Sequence, residues 1–145
     1  MNDERFRALT DELLSLAGAP ASDHLYAGVV LDVDEVSFSL MHSGAPDDDR
    51  IEMFCDFGEP PPHTKAEAVK ALLAANADVL GNAGLSNFCM NRLTGHILVS
   101  SVLSMRRMTA VLLLDQLRSC AQDAKNWQRK YSLRTRRSVA SATAA

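Results

Sequence analysis

Much that would signal an enzyme or a membrane protein is missing from this sequence. No apolar run approaches the roughly 20 residues that span a bilayer. The start Met1-Asn2-Asp3-Glu4 is acidic where a secretory leader is basic, and no apolar core follows it, so a cytosolic protein is expected. Phosphate-binding GxxxxGK[ST] is absent, and the one glycine cluster, Gly81 to Gly84, follows a helical pattern instead of opening one, which argues against a nucleotide cradle. There are only three cysteines, Cys55, Cys89 and Cys120, without CxxC spacing, so neither a zinc site nor a disulfide framework is expected. His24, His42, His63 and His96 show no HxxxH or HExxH spacing, and the consecutive Asp47, Asp48 and Asp49 lack the alternation of a calcium loop. No metal and no cofactor is called for.

What remains is ordinary in composition and unusual in arrangement. The 145 residues, 47% hydrophobic and 23% charged, suit one globular domain. Up to Asp123 the chain holds all 18 acidic residues and nine of its 15 basic ones; the other six basic residues follow, among them Arg134, Arg136 and Arg137. An acidic body therefore ends in a basic segment. Its Ser, Ala, Thr and Arg composition supports no core, so residues 1–131 are expected to form the domain and 132–145 a disordered tail. A weak, salt-sensitive contact of this tail with nucleic acid or anionic lipid is one reading; the acidic body opposes it.

The apolar pattern sets the element order. Asp3 to Ala17 carries Phe6, Leu9, Leu13 and Leu16 at helical spacing, with Leu14 off that stripe and Gly18 and Pro20 as the stop. Tyr26 to Val33 and Val36 to His42 read as strands, with the segment Asp32-Val33-Asp34-Glu35 supplying the turn, and Val36, Phe38 and Leu40 alternate with Ser37, Ser39 and Met41. Ile51, Met53 and Cys55 alternate in a third strand that the prolines 60 to 62 stop. Thr64 and Glu67 have capping-box spacing before a helix from Lys65 to Leu80. Two strands follow, Leu85 or Ser86 to Leu93 and His96 to Leu103, turning at Thr94-Gly95, and then a helix from Thr109 to Lys130 with Leu113, Leu117, Cys120, Ala124 and Trp127 on its inner stripe. The expected fold is α+β, in the order α-β-β-β-α-β-β-α, with a twisted antiparallel sheet packed against helices.

The helix at Lys65 to Leu80 has more apolar surface than one partner covers. Val69, Leu72, Leu73 and Leu80 form one stripe, and Ala68, Ala71, Ala75 and Val79 a second, small-residue face that admits a close neighbour. Either the last helix of the same chain or a second copy across a two-fold axis would cover it. A nucleophile can be assembled on paper from Cys89 or Ser86 with His96, which would make a small hydrolase, yet no GxSxG elbow or cysteine-protease signature surrounds them.

In this order the chain resembles the Tir chaperone family, the class I chaperones of bacterial type III secretion. The resemblance spans Arg5 to Lys130 and rests on Ile51-Glu-Met-Phe-Cys-Asp-Phe-Gly-Glu-Pro60, a strand with an apolar-Gly-x-Pro turn, and on Ala68-Val-Lys-Ala-Leu-Leu-Ala-Ala-Asn76, a helix with Leu-Leu-x-x-Asn. It implies a bacterial cytoplasmic homodimer without enzymatic activity, whose central helix and following strand make the interface. It also implies a client, the N-terminal chaperone-binding segment of an effector, kept secretion-competent without ATP. On this resemblance the interface is expected at Ala68, Leu72, Ala75, Val79 and Phe88. The client is expected at Leu13, Leu14 and Leu16 on the first helix and at Val36, Phe38 and Leu40 on a strand, residues that core packing would equally explain.

Overall fold

A computed structural model describes residues 2–21, 28–60, 62–63, 65–80 and 86–144, and the side chains of these except at 75–80, 86 and 130–144. The elements are α1 (Asn2–Ala17), β1 (Gly28–Val33), β2 (Val36–Met41), β3 (Arg50–Gly58), α2 (Lys65–Leu80), β4 (Ser86–Met90), β5 (Ile97–Ser104) and α3 (Ala110–Ala144). The α-β-β-β-α-β-β-α order is the one the sequence predicts. The capping pair at Thr64, the stop at Gly81 to Gly84, the strand start at Tyr26 and the side chains of the basic tail at 132–145 lie outside the described residues.

The five strands form one antiparallel sheet in the order β1-β2-β3-β5-β4. Because β3 and β4 both pair antiparallel with β5, they run parallel to each other, and α2 is the crossover between them. Period-2 alternation puts Val29, Leu31, Val33, Val36, Phe38, Leu40, Ile51, Met53, Cys55, Phe57, Ile97 and Val99 on one buried face. Two helices lie on that face. α1 contributes Phe6, Leu9, Leu13 and Leu14; α3 contributes Ala110, Leu113, Leu114, Leu117, Ala121 and Ala124. The buried stripe of α1 is wider than the sequence reading allowed. Leu14 packs inward, because α3 flanks α1 and gives it a second surface to cover.

Local chemistry fixes the ends of these elements. Gly18, at φ 68°, closes α1 in a Schellman turn, with Ala19 N–H donating to Leu14 C=O at 2.9 Å. Thr109 caps α3, its Oγ1 accepting from Leu112 N–H at 3.2 Å. The β1–β2 hairpin turns on two residues only, Asp34 and Glu35, both in the left-handed region at φ 50° and 71°. That is the conformation of a type I′ turn, where glycine fits best at the second position. Replacing Glu35 with Gly relieves the left-handed strain and is expected to stabilise the protein by about 0.5–1 kcal/mol, the entropy cost of glycine offsetting part of the relief. The check is a higher urea midpoint at unchanged slope.

Candidate functional site

The sheet is wider than the helices that cover it. α1 and α3 lie over the β1–β3 side, and over the β4–β5 side an open groove of about 750 Å³ runs between the sheet and α3. Its walls are Met53, Phe57, Phe88, Val99, Leu103, Cys120 and Trp127, with Gln116, Ser119 and Asp123 along the α3 rim. Three aromatic rings converge at one end. Phe57 meets Phe88 edge-on at 5.7 Å between centroids and Trp127 at 6.0 Å. Such a surface has large apolar area and fixed geometry, which suits side chains inserted from another polypeptide.

α2 stands beyond this groove, at the edge of the sheet. Its principal packing is on β4, where Leu72 is buried and Val69, Leu72 and Leu73 share a small pocket of about 80 Å³ with Phe88, Met90 and Ile97. Among the described side chains of α2, those of Lys70, Ala71, Leu73 and Ala74 are exposed. Leu73 is 63% exposed, Met90 on β4 39%, and Leu93 in the following turn 97%. Exposed leucines occur singly on any protein, but here they adjoin a groove and a helix held from one side.

The end of the groove is held by polar contacts around a bulge. Between Asp56 and Gly58 the β3–β5 register shifts, and Gly58 takes φ 89°. Asp56 Oδ1 accepts from Gly58 N–H at 2.8 Å, and its Oδ2 meets His96 Nδ1 at 2.9 Å. Gln128 of α3 donates from Nε2 to the Phe57 carbonyl at 2.9 Å, which ties the helix beside Trp127 to the strand carrying Phe57. A Cβ at position 58 would stand 3.0 Å from Gln128 Nε2, in a backbone conformation that L-residues avoid. Gly58→Ala therefore strains the backbone and displaces the Gln128 bond. Its expected cost is about 2 kcal/mol, read as a lowered urea midpoint.

The residues singled out from sequence fall in different environments. Of the six client candidates, Leu13, Leu14, Val36, Phe38 and Leu40 are buried within the chain, because both elements turn those positions toward each other and toward α3. Only Leu16, 46% exposed, is open to a partner. Of the interface candidates, Ala68 and Leu72 are buried within the chain and Phe88 is partly buried beside the groove; the side chains of Ala75 and Val79 lie outside the described residues. Among the described side chains of α2, the exposed large apolar one is Leu73. Two of the hydrolase candidates have described surroundings. His96 is engaged by Asp56, and Cys89 is an exposed β4 residue whose thiol desolvation pushes up, the wrong direction for a nucleophile. Ser86 has its side chain outside the described residues.

Sequence reasoning missed the groove itself. Leu103 carries no motif, Phe57 enters only as the apolar residue of the apolar-Gly-x-Pro turn, and Trp127 reads as one more residue of a helical stripe. The available signal was aromatic scarcity, since three of the eight aromatic residues converge here.

Comparisons with known proteins bear on this geometry. The model of the Tir chaperone protein (CesT) family matches residues 28–128. No curated protein matches the chain. Among solved structures, the ExsC–ExsE complex contains a chain that superposes with a TM-score of 0.70 at 17% identity, covering 89% of this chain and 95% of that one. The HopA1–SchA chaperone–effector complex gives a TM-score of 0.64 at 15% identity, covering 88% and 95%. The Yersinia pestis type III secretion chaperone SycH, solved with a stable fragment of YscM2, gives 0.55 at 15% identity, covering 84% and 98%. At such identities these likenesses speak to the fold.

Proposed function

The chain belongs to the Tir chaperone (CesT) family, and from that premise we propose that it is a homodimeric type III secretion chaperone whose open groove receives an effector. The observation that carries this reading is the groove of about 750 Å³ between α3 and the β4–β5 side of the sheet, with Phe57, Phe88 and Trp127 at one end. An apolar cleft of this kind, open along its length, fits an extended client segment better than a compact ligand. The client gives up conformational entropy on binding and gains buried side chains, with backbone pairing where it reaches a strand edge. Release then requires only that a competing process take hold of the client's free remainder, so no ATP is spent by the chaperone.

The homodimer is proposed through α2 and β4. The principal packing of α2 is on β4, and Leu73, Met90 and Leu93 on and beside it are exposed. A second copy related by a two-fold axis would set each α2 against its equivalent and cover both sets at once. The client is proposed to be the N-terminal region of an effector in the bacterial cytoplasm. Among the described residues no helix is long and apolar enough to cross a membrane.

The test is co-purification from a secretion-competent host, with the complexes sized by light scattering. Two copies of this chain holding one effector through its N-terminal region is the expected result. A monomer that captures no effector overturns both the client and the dimer.

A further inference from the structure

The wall of the groove carries a single carboxylate. Along α3 the groove-facing positions are Gln116, Ser119, Cys120, Asp123 and Trp127, spaced by three or four residues, so one stripe of the helix forms that wall. Asp123 is the one acidic or basic residue among all those lining the groove, and it is exposed. Among the described residues no ion pair engages it. Lys125 and Arg129, which follow on the helix, are not part of the wall, and Arg129 donates to the Asn126 side chain.

Asp123 lies four residues before Trp127, one turn back along the same face of α3, a rise of about 6 Å. Trp127 belongs to the aromatic end, where Phe57 and Phe88 also converge. An extended segment advances about 3.3 Å per residue and points alternate side chains the same way, so its positions i and i+2 match that step. An apolar anchor among the three rings thus brings the side chain two positions away to Asp123. What stands there decides how well the segment binds. An apolar side chain strips water from the carboxylate and returns nothing, and an Asp or Glu adds like-charge repulsion. A Lys or Arg replaces the lost water with a charge-assisted hydrogen bond. The excess of acidic over basic residues up to Asp123 attracts a cation in the same sense at longer range.

On the reading of this groove as the effector site, we propose that Asp123 sets its specificity: the bound segment carries an apolar anchor for the Phe57, Phe88 and Trp127 end and a Lys or Arg two residues from it.

The probe is a phage-displayed library of random dodecapeptides, selected on the full chain and on its Asp123→Lys, Asp123→Asn and Trp127→Ala variants. The unsubstituted chain is expected to enrich a large apolar residue with Lys or Arg two positions away. Asp123→Lys is expected to keep the apolar residue and exchange the cation for Asp or Glu; Asp123→Asn keeps it with no charge preference. A synthetic peptide of the enriched sequence, followed by fluorescence anisotropy, is expected to bind Asp123→Lys about tenfold more weakly, and Asp123→Asn with a flatter response to salt. Position 123 is exposed, so both variants are expected to fold, which circular dichroism checks. Phe88→Ala takes the place of Trp127→Ala if that chain unfolds. An apolar residue enriched with no charge beside it, or the same cation enriched on Asp123→Lys, overturns the role of Asp123; the groove stands as the site when Trp127→Ala loses the enrichment. Enrichment that Trp127→Ala retains, or none at all, overturns the groove reading and the specificity with it.

Discussion

Leu73→Asp is expected to yield a folded monomer. Leu73 is 63% exposed in the single chain, so a carboxylate there remains hydrated and the monomer fold loses little. In a two-fold dimer through α2 the same change acts twice, placing two like charges in a desolvated contact. The dissociation constant is expected to rise at least about a hundredfold, equivalent to roughly 3 kcal/mol. Light scattering across a concentration series measures this, and circular dichroism shows whether the helices survive. Leu72→Asp lacks this discrimination, since Leu72 is buried against its own sheet and the charge would attack folding directly. A Leu73→Asp protein that keeps the mass of a dimer at every concentration removes α2 from the proposed interface.

Phe38→Ala is expected to cost about 3–5 kcal/mol of folding stability, in the range for emptying a buried aromatic site. Phe38 is 1% exposed in the middle of β2, among the fully buried side chains that join the sheet to the helices. Truncation leaves a cavity that a close-packed core refills only in part. Set against a typical total of about 5–15 kcal/mol, the loss is large enough to leave the variant marginal. Chemical denaturation gives the magnitude. Leu16→Ala, at a half-exposed site on α1, is expected to stay within about 0.5 kcal/mol. This contrast separates two roles the sequence leaves open for β2. A Phe38→Ala chain of unchanged stability that binds its effector weakly would put β2 back on the client side.

Several features of this protein are legible without any tertiary information. Alternation along Ile51, Met53 and Cys55 specifies a strand with one buried face, since successive side chains of an extended chain point to opposite sides. The spacing of Phe6, Leu9 and Leu13, and of Leu113, Leu117 and Ala124, specifies two helices with one inner stripe each. The order of these local patterns carries the α+β architecture and the family resemblance. Each depends on residues within a few positions of one another, and backbone geometry alone relates them.

Burial and grouping are a different matter. Whether Leu14 is covered depends on α3 lying beside α1, and whether Leu72 or Leu73 faces outward depends on how far α2 turns about its axis on β4. The neighbour of β3 across the sheet is β5, which follows it by some forty residues and is separated from it by a helix and a strand. The groove is assembled from Phe57, Phe88 and Trp127 on three different elements. Periodicity states that a residue has an inner side; it carries no term for which distant segment arrives to cover it. That choice is made by packing the whole chain at once, and it leaves a groove open on the β4–β5 side of the sheet.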